Sequence, residues 1–457
     1  MKINPEIFKG YDIRGKYPEE INEEVACRIG QAFINFIKRR RKFKKLDILV
    51  GRDNRLSSSL IFKGLCQGFI SRGVNVYDLG VCTTPMFYFA SSHYRFDDGG
   101  IMITASHLPK EYNGFKIIKD VPIPIDYKTG LKTIKKEAVS KDIFGSTRAK
   151  GRVFKKNVLK EYVRFNLKEF NLDKIAPLKI VIDTGNASTG LVVPEMFKKT
   201  KCKIFHLFPK LDGNFPNRPL DCVKKGSLRH LKGEILKRKA DLGIAFDGDG
   251  DRVVFVDEKG KLISPNVITA LIAKILLREN QEETILTTVR GSRIISDVVR
   301  EAGGKLVVWQ VGHSNIKRKM RKKNILFGGE ASGHYYLRNH YFSEAPFFVI
   351  FKILETMSKT GESVSGLVKP FQKYFHSGEI NFKVKNKKRA MMTLENKFKK
   401  GKVSKIDGLR VDFSDWWFNV RLSNTEPLLR LVVEAKSRWL MEKKKKELIK
   451  LITPFFF

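Results

Sequence analysis

Leu242-Gly243-Ile244-Ala245-Phe246-Asp247-Gly248-Asp249-Gly250-Asp251-Arg252 joins an apolar run of strand length to a loop with carboxylates at alternate positions. The two glycines permit a close bend, so the three acids converge on one side of the loop and repel one another unless a cation sits among them. Hard oxygen donors in so small a loop suit Mg2+, which takes one or two carboxylates together with waters and a substrate phosphate. A calcium loop is the competing reading, since Glu258 stands twelfth from Asp247. It fails at the sixth position, Arg252, where glycine is needed, and its flanks read as strands instead of helices. A solvated acidic turn is the third reading.

Outward from this loop, the apolar run is the last of three at 179–182, 203–208 and 242–246, separated by helix-length amphipathic stretches. The same order precedes it at 46–50, 74–79 and 100–104, whose third loop holds Ala105-Ser106-His107. It returns at 284–288, 305–311 and 325–327, ending in Gly328-Gly329-Glu330-Ala331-Ser332-Gly333-His334. After about residue 370 the pattern changes to short alternating strands at 408–413, 417–422 and 428–434, then a Lys-rich helix over 439–452. The expected fold is therefore α/β: three similar α/β domains with mixed sheets plus a C-terminal α+β domain, arranged around one central cleft. The boundaries are set at 1–150, 151–256, 257–369 and 370–457. In open α/β sheets ligands sit beyond the carboxyl ends of strands, so the third loop of each repeat is where chemistry is sought.

The chain has 457 residues, too many for one compact core, and 42% of them are hydrophobic, which argues against disorder despite 30% charged residues. A formal net charge of +40 would attract nucleic acid, an anionic membrane or phosphorylated small molecules. Lys and Arg recur in nearly every segment, with local runs at 38–45 and 443–446, instead of collecting in one arm or domain. That distribution fits a lysine bias on solvated faces and argues against nucleic acid, leaving steering of an anionic substrate as a smaller possibility. Cys27, Cys66, Cys82, Cys202 and Cys222 are odd in number and lack a C-x-x-C pair, which fits small buried apolar residues in a reducing compartment. No apolar run of signal-peptide or membrane-crossing length is present. The expectation is a cytoplasmic monomer or weak homo-oligomer.

The remaining loops are weaker alone. Ser106 lacks the G-x-S-x-G spacing of a hydrolase elbow, and a lone serine in such a place more often caps a loop or helix. The glycine-framed turn at 328–334 can hydrogen-bond several sugar hydroxyls together. Arg421-Leu422-Ser423-Asn424-Thr425-Glu426-Pro427, with Arg430 nearby, offers guanidinium forks, hydroxyls and an amide to a phosphate. Residues 185–190 have P-loop glycine spacing, but Leu191 stands where the lysine belongs. Dinucleotide and zinc motifs are absent.

Taken together, in this order and near these strand ends, the four loops closely resemble those of the α-D-phosphohexomutase superfamily. The resemblance covers nearly the whole chain, beginning at Phe8-Lys9-Gly10-Tyr11-Asp12-Ile13-Arg14-Gly15. Within it, the acidic, sugar and phosphate loops look like the phosphomannomutase/phosphoglucomutase branch. Gly250, Ala331 and Asn424 stand where phosphoglucosamine mutases, the nearest competitor, usually show Ala, Gln and Gly.

The resemblance implies that Ser106 carries a phosphoryl group and that Asp247, Asp249 and Asp251 hold Mg2+ with a phosphoserine oxygen, with Arg252 alongside. It implies that Glu330 and Ser332 bind sugar hydroxyls and that Arg421, Ser423, Asn424, Thr425 and Arg430 clamp the non-reacting phosphate. Tyr11, Arg14, His107, Lys116, His313 and His334 line the cleft, with His313 the preferred proton acceptor and Lys116 the alternative. PhosphoSer106 would donate to a hexose phosphate, the hexose 1,6-bisphosphate would turn end for end, and Ser106 would recover the other phosphate. Mannose or glucose 1-phosphate and its 6-phosphate are thereby interconverted, and a hinge before the fourth domain is expected to close over the sugar. Four places depart from the branch pattern: Leu108 for Asn, Arg290 for Lys, Leu422 for a small residue or Pro, and Phe342-Ser343-Glu344-Ala345-Pro346 for an Asp-Asp-Gly stretch. The last bears on substrate preference and on the positioning of His334, and motivates a rival reading as a non-catalytic binding protein. Intact Ser106 and all three Asp residues count against that rival.

Overall fold

The computed structural model describes residues 3–40, 45–140, 150–422 and 428–456. They divide into two compact units, Met1–Ile263 with Ser332–Ser365, and Ser264–Ala331 with Gly366–Phe457.

In the first unit, strand Asp47–Arg52 lies parallel between Asn75–Val81 and Gly100–Ile103. Ile48, Leu49 and Val50 are all fully buried, a continuous apolar run suited to a sheet covered on both faces. Helix Glu23–Lys38 begins at Asn22, whose side chain accepts the Val25 N–H. It packs on helix Ser58–Ile70 at Gly64 and Gly68, where a Cβ would stand 2.2 Å from the Glu23 carbonyl oxygen and 2.3 Å from that of Cys27. The strand Tyr112–Lys119 returns antiparallel beside Gly100–Ile103 and carries Ile13–Lys16 on its other edge. It has no counterpart in the expected layout, because buried Asn113 and Lys116 interrupt its apolar pattern.

The second sheet of this unit has a parallel core, Leu242–Phe246, Lys179–Asp183 and Lys203–Leu207, with Val253–Asp257 antiparallel beside Leu242–Phe246. The acidic loop is thus the turn of a hairpin. The segment Ser332–Ser365 adds the hairpin Tyr335–Leu337 with Ser343–Glu344, then helix Pro346–Thr360. Ring contacts from Phe347, Phe348 and Phe351 to Phe246, Phe170 and Phe197 fasten that helix to the same domain.

The second unit holds Thr284–Thr288 parallel between Lys305–Trp309 and Phe327–Gly329. The last of these starts two residues later than expected, because Asn324 takes a left-handed conformation and the Ile325 N–H is spent on Met320 at the end of helix His313–Lys323. The C-terminal sheet is antiparallel through Lys402–Ser404, Leu409–Asp412, Trp416–Leu422 and Leu428–Ala435, and both Phe375–His376 and Ile380–Lys383 pair with Leu428–Ala435. Arg293 ties this sheet to the parallel one: its N–H donates to Glu434 Oε1 at 2.9 Å and its guanidinium to the Ser414 carbonyl at 2.9 Å. The architecture is a four-domain α/β one with mixed sheets. Among the described residues no helix is long and apolar enough to cross a membrane. All five cysteines are free, but Cys27 and Cys202 are half-buried, so the reading of five buried apolar residues holds for three.

Candidate active site

Ser106 follows strand Gly100–Ile103 with a φ of 54°, in the left-handed region that a non-glycine residue rarely adopts. Its N–H donates to Thr104 Oγ1 at 2.8 Å. The loop is held from beneath by Arg55, whose side chain is 0% exposed. The Arg55 guanidinium donates to the carbonyls of Ser106 (2.9 Å), Leu108 (2.7 Å), Pro109 (2.5 Å) and Tyr112 (3.0 Å) and to Asp53 Oδ2 (3.0 Å). The Ser106 hydroxyl donates to Asp247 Oδ2 at 3.2 Å and lies 3.1 Å from His107 Nδ1. Ser106 is 1% exposed, with Asp247 and the half-buried His107 taking up its hydrogen-bonding directions.

Asp247, Asp249 and Asp251 are buried, with one oxygen from each within 4.8 Å of the others. Gly248 lets the two loops touch, since a Cβ there would stand 2.4 Å from the Ser106 carbonyl oxygen. Lys116 Nζ is 2.8 Å from Asp249 Oδ2 and also pairs with Asp251. Thr84 Oγ1 donates to Asp249 Oδ2 at 2.6 Å, His334 Nε2 is 3.2 Å from Asp251 Oδ1, and Arg252 Nε is 3.6 Å from Asp247 Oδ2. Asp249 Oδ1 is buried and has no hydrogen-bond partner. A converging set of buried carboxylates with one oxygen unused fits a hard divalent cation, so the triad could bind a metal.

Burial, reinforced by the Asp251 and Asp249 carboxylates, holds Asp247 well above the usual carboxylate range. Burial also works against the Asp251 anion, but Lys116, His334 and Arg252 outweigh it and hold that group well below the range. Burial would likewise lower Lys116, yet Asp249 and Asp251 keep its ammonium well above the ordinary lysine value. A charged Lys116 beside these two carboxylates is suited to neutralising negative charge at the acidic loop. His107 is pushed well below the ordinary histidine value by burial and then by Arg252 and Arg14, so its ring is neutral. Arg14 is paired with Asp12 at 2.8 Å, and Tyr11 stands with Asp12 in the bend just before strand Ile13–Lys16. Ser332 Oγ is 2.8 Å from His334 Nδ1, and the Gly333 carbonyl accepts the Val253 N–H, docking this loop on the acidic hairpin.

The second unit carries the other candidates. His313 opens helix His313–Lys323 behind Gly312, whose φ is 105° and whose N–H donates to Glu330 Oε1 at 3.4 Å. The structure thus brings the start of the His313 helix to Glu330. Arg421 and Arg430 are opposite each other across an antiparallel pair. Ser423, Asn424 and Thr425 lie outside the described residues. Four participants escape the sequence reading: Arg55, Asp53, Thr84 and Glu379. The polar run Gly51-Arg52-Asp53-Asn54-Arg55 after the first strand signals the first two, whereas nothing local to Glu379 signals its partners.

Known proteins carry the same plan. The phosphoglucomutase/phosphomannomutase alpha/beta/alpha domains I, II and III match residues 5–142, 160–260 and 264–374, and the C-terminal domain of that family matches 379–451. A phosphomannomutase of Vibrio cholerae is 38% identical over 455 residues, covering 97% of this chain and 98% of that one. A phosphomannomutase of Methanocaldococcus jannaschii is 35% identical, covering 98% and 97%. A phosphoglucomutase/phosphomannomutase family protein of Burkholderia thailandensis superposes with a TM-score of 0.90 at 30% identity, over 99% of this chain and 98% of that one. Four matched domains and full-length relatives lead to one conclusion: the chain belongs to the phosphoglucomutase/phosphomannomutase family.

Proposed function

We propose that this protein interconverts hexose 1-phosphate and hexose 6-phosphate, with mannose or glucose as the sugar, through phosphorylated Ser106 and a hexose 1,6-bisphosphate. The observation that carries the reading is the Ser106 hydroxyl, 3.2 Å from Asp247 within a cluster of three buried carboxylates faced by Lys116 and Arg252. Held by Asp247, Asp249 and Asp251 with a phosphoserine oxygen, Mg2+ would neutralise charge on the transferring phosphoryl group. Lys116 and Arg252 supply fixed positive charge at the same place without having to reorganise during the reaction. Arg55 holds the serine loop against the acidic hairpin, and Asp247 Oδ2 receives the hydrogen of Ser106 Oγ. Glu330 and Ser332 orient the sugar, and Arg421 and Arg430, with Ser423 to Thr425, hold the phosphate that does not react.

His313 takes the proton of the attacking sugar hydroxyl in the first reading. A second is favoured by position, since His334 stands with Nδ1 on Ser332 and Nε2 on Asp251, in the unit that holds Ser106. Alanine at each position separates them: the acceptor's loss lowers kcat by 10²-fold or more, as removal of a general base does, and the other affects mainly KM.

The activity is tested with purified protein, Mg2+ and the 1-phosphates of mannose, glucose and glucosamine, each primed by a hexose bisphosphate. Mannose or glucose 6-phosphate is the expected product. Preference for the glucosamine ester would move the protein to the competing branch, and no product from any of the three would overturn the reading.

A further inference from the structure

Arg421 and Arg430 create an electrostatic problem. Directly opposed like charges destabilise an antiparallel pair, and Arg290, just beyond strand Thr284–Thr288, brings a third guanidinium to the same place. Glu379 meets all three: its Oε2 is 2.7 Å from Arg290 Nη1 and 3.3 Å from Arg421 Nη2, and its Oε1 is 3.1 Å from Arg430 Nη1. The carboxylate is placed by the sheet, because the next residue opens strand Ile380–Lys383, which pairs with the strand of Arg430. Asp407 also acts on Arg421 electrostatically, but its Oδ2 accepts the Val311 N–H at 3.0 Å. Burial opposes the Glu379 anion, yet Arg290, Arg421 and Arg430 hold it below the ordinary glutamate range.

Among the described residues the Glu379 carboxylate meets three guanidiniums, more positive charge than it can neutralise by itself, and a phosphate monoester carries close to two negative charges near neutral pH. We propose that Glu379 is a built-in counter-ion of the phosphate clamp. It keeps Arg290, Arg421 and Arg430 in position before phosphate arrives, and it weakens their grip on the bound phosphate by repulsion. The inference rests on the proposed function in taking these arginines as phosphate-holding. It also answers a need of that reaction, since a sugar phosphorylated at both ends has to leave the clamp and rebind by its other end. Glu379 is on this account a positioning residue that sets the affinity of the clamp, and Arg290 is a third arm of it.

The test is calorimetric titration of inorganic phosphate and of glucose 6-phosphate into the full-length wild type, Glu379→Gln and Glu379→Asp, with kcat and KM measured in parallel. Removing one negative charge beside a bound dianion is expected to tighten both ligands about tenfold in Glu379→Gln, with KM and kcat falling together as release slows. Glu379→Asp, which keeps the charge but draws it back, should shift binding in the same direction by a smaller factor, and it serves as the probe if the glutamine variant does not fold. Unchanged or weaker binding in the folded variant overturns the proposal; weaker binding with a lower Tm would mean that Glu379 is only structural. A wild type that turns over no hexose phosphate, while the variants still tighten inorganic phosphate, would sink the proposed reaction and leave the counter-ion standing.

Discussion

At Ser106 the left-handed backbone costs about 1–2 kcal/mol, and Arg55 offsets it by fastening four carbonyls of the loop. Arg55→Met should leave those acceptors and Asp53 without their buried cation, lowering stability by about 3–5 kcal/mol as the loss of one partner of a buried pair does. Arg55→Lys should recover only part, since an ammonium cannot reproduce the planar fork; chemical unfolding of the three proteins checks the order. Ser106→Ala should abolish interconversion while hexose-phosphate binding by calorimetry stays close to wild type, and near-normal turnover would rule out the phosphoserine. Asp249→Asn removes a ligand that Lys116 and Thr84 hold in place. Its rate should fall by orders of magnitude and its response to Mg2+ weaken, and an unchanged Mg2+ titration would reject the ligand assignment.

Among the elements, the hairpin of Leu242–Phe246 and Val253–Asp257 and the strand Tyr112–Lys119 do most to build the site, because their registers decide which side chains meet. Helix Leu159–Leu167 supplies a different kind of constraint. His340 packs edge-on against Phe165 and Phe348, with Nε2 3.3 Å from Asn166 Oδ1, and burial, aided by Lys168, pushes its pKa down to about 3. An imidazole that is neutral in the fold and ordinary when unfolded contributes its full stability above about pH 6.5. That contribution is lost as pH falls from there toward 3, at up to about 1.4 kcal/mol per unit. His206, pushed down to about 4 by burial, acts in the same sense. The urea midpoint should therefore drop between pH 7.5 and pH 5, and His340→Leu should shrink that drop; an undiminished drop would clear His340 of the effect.

Over the whole molecule, the most legible features were those written in consecutive residues. Strand-length apolar runs, the alternation of strand and helix, the acidic loop around Asp247, Asp249 and Asp251, and Ser106 at a strand end all depend on local periodicity, and they stand in the structure within a residue or two of where pattern places them. The return strand Tyr112–Lys119 was not legible, because buried polar residues that serve the site break the apolar pattern that would announce it. The contacts among distant residues were equally hidden. Lys116 and Asp249 are 133 positions apart, Arg55 and Ser106 are 51, and Glu379 and Arg290 are 89. Amino-acid order by itself determined the layers, the repeated plan and the family, since these follow from hydrophobic spacing and short motifs. Only tertiary packing decided that Lys116 and His334 face the carboxylates, that Arg55 underpins the serine, and that one glutamate stands among three arginines, because each pairing depends on strand register and burial that no single stretch encodes.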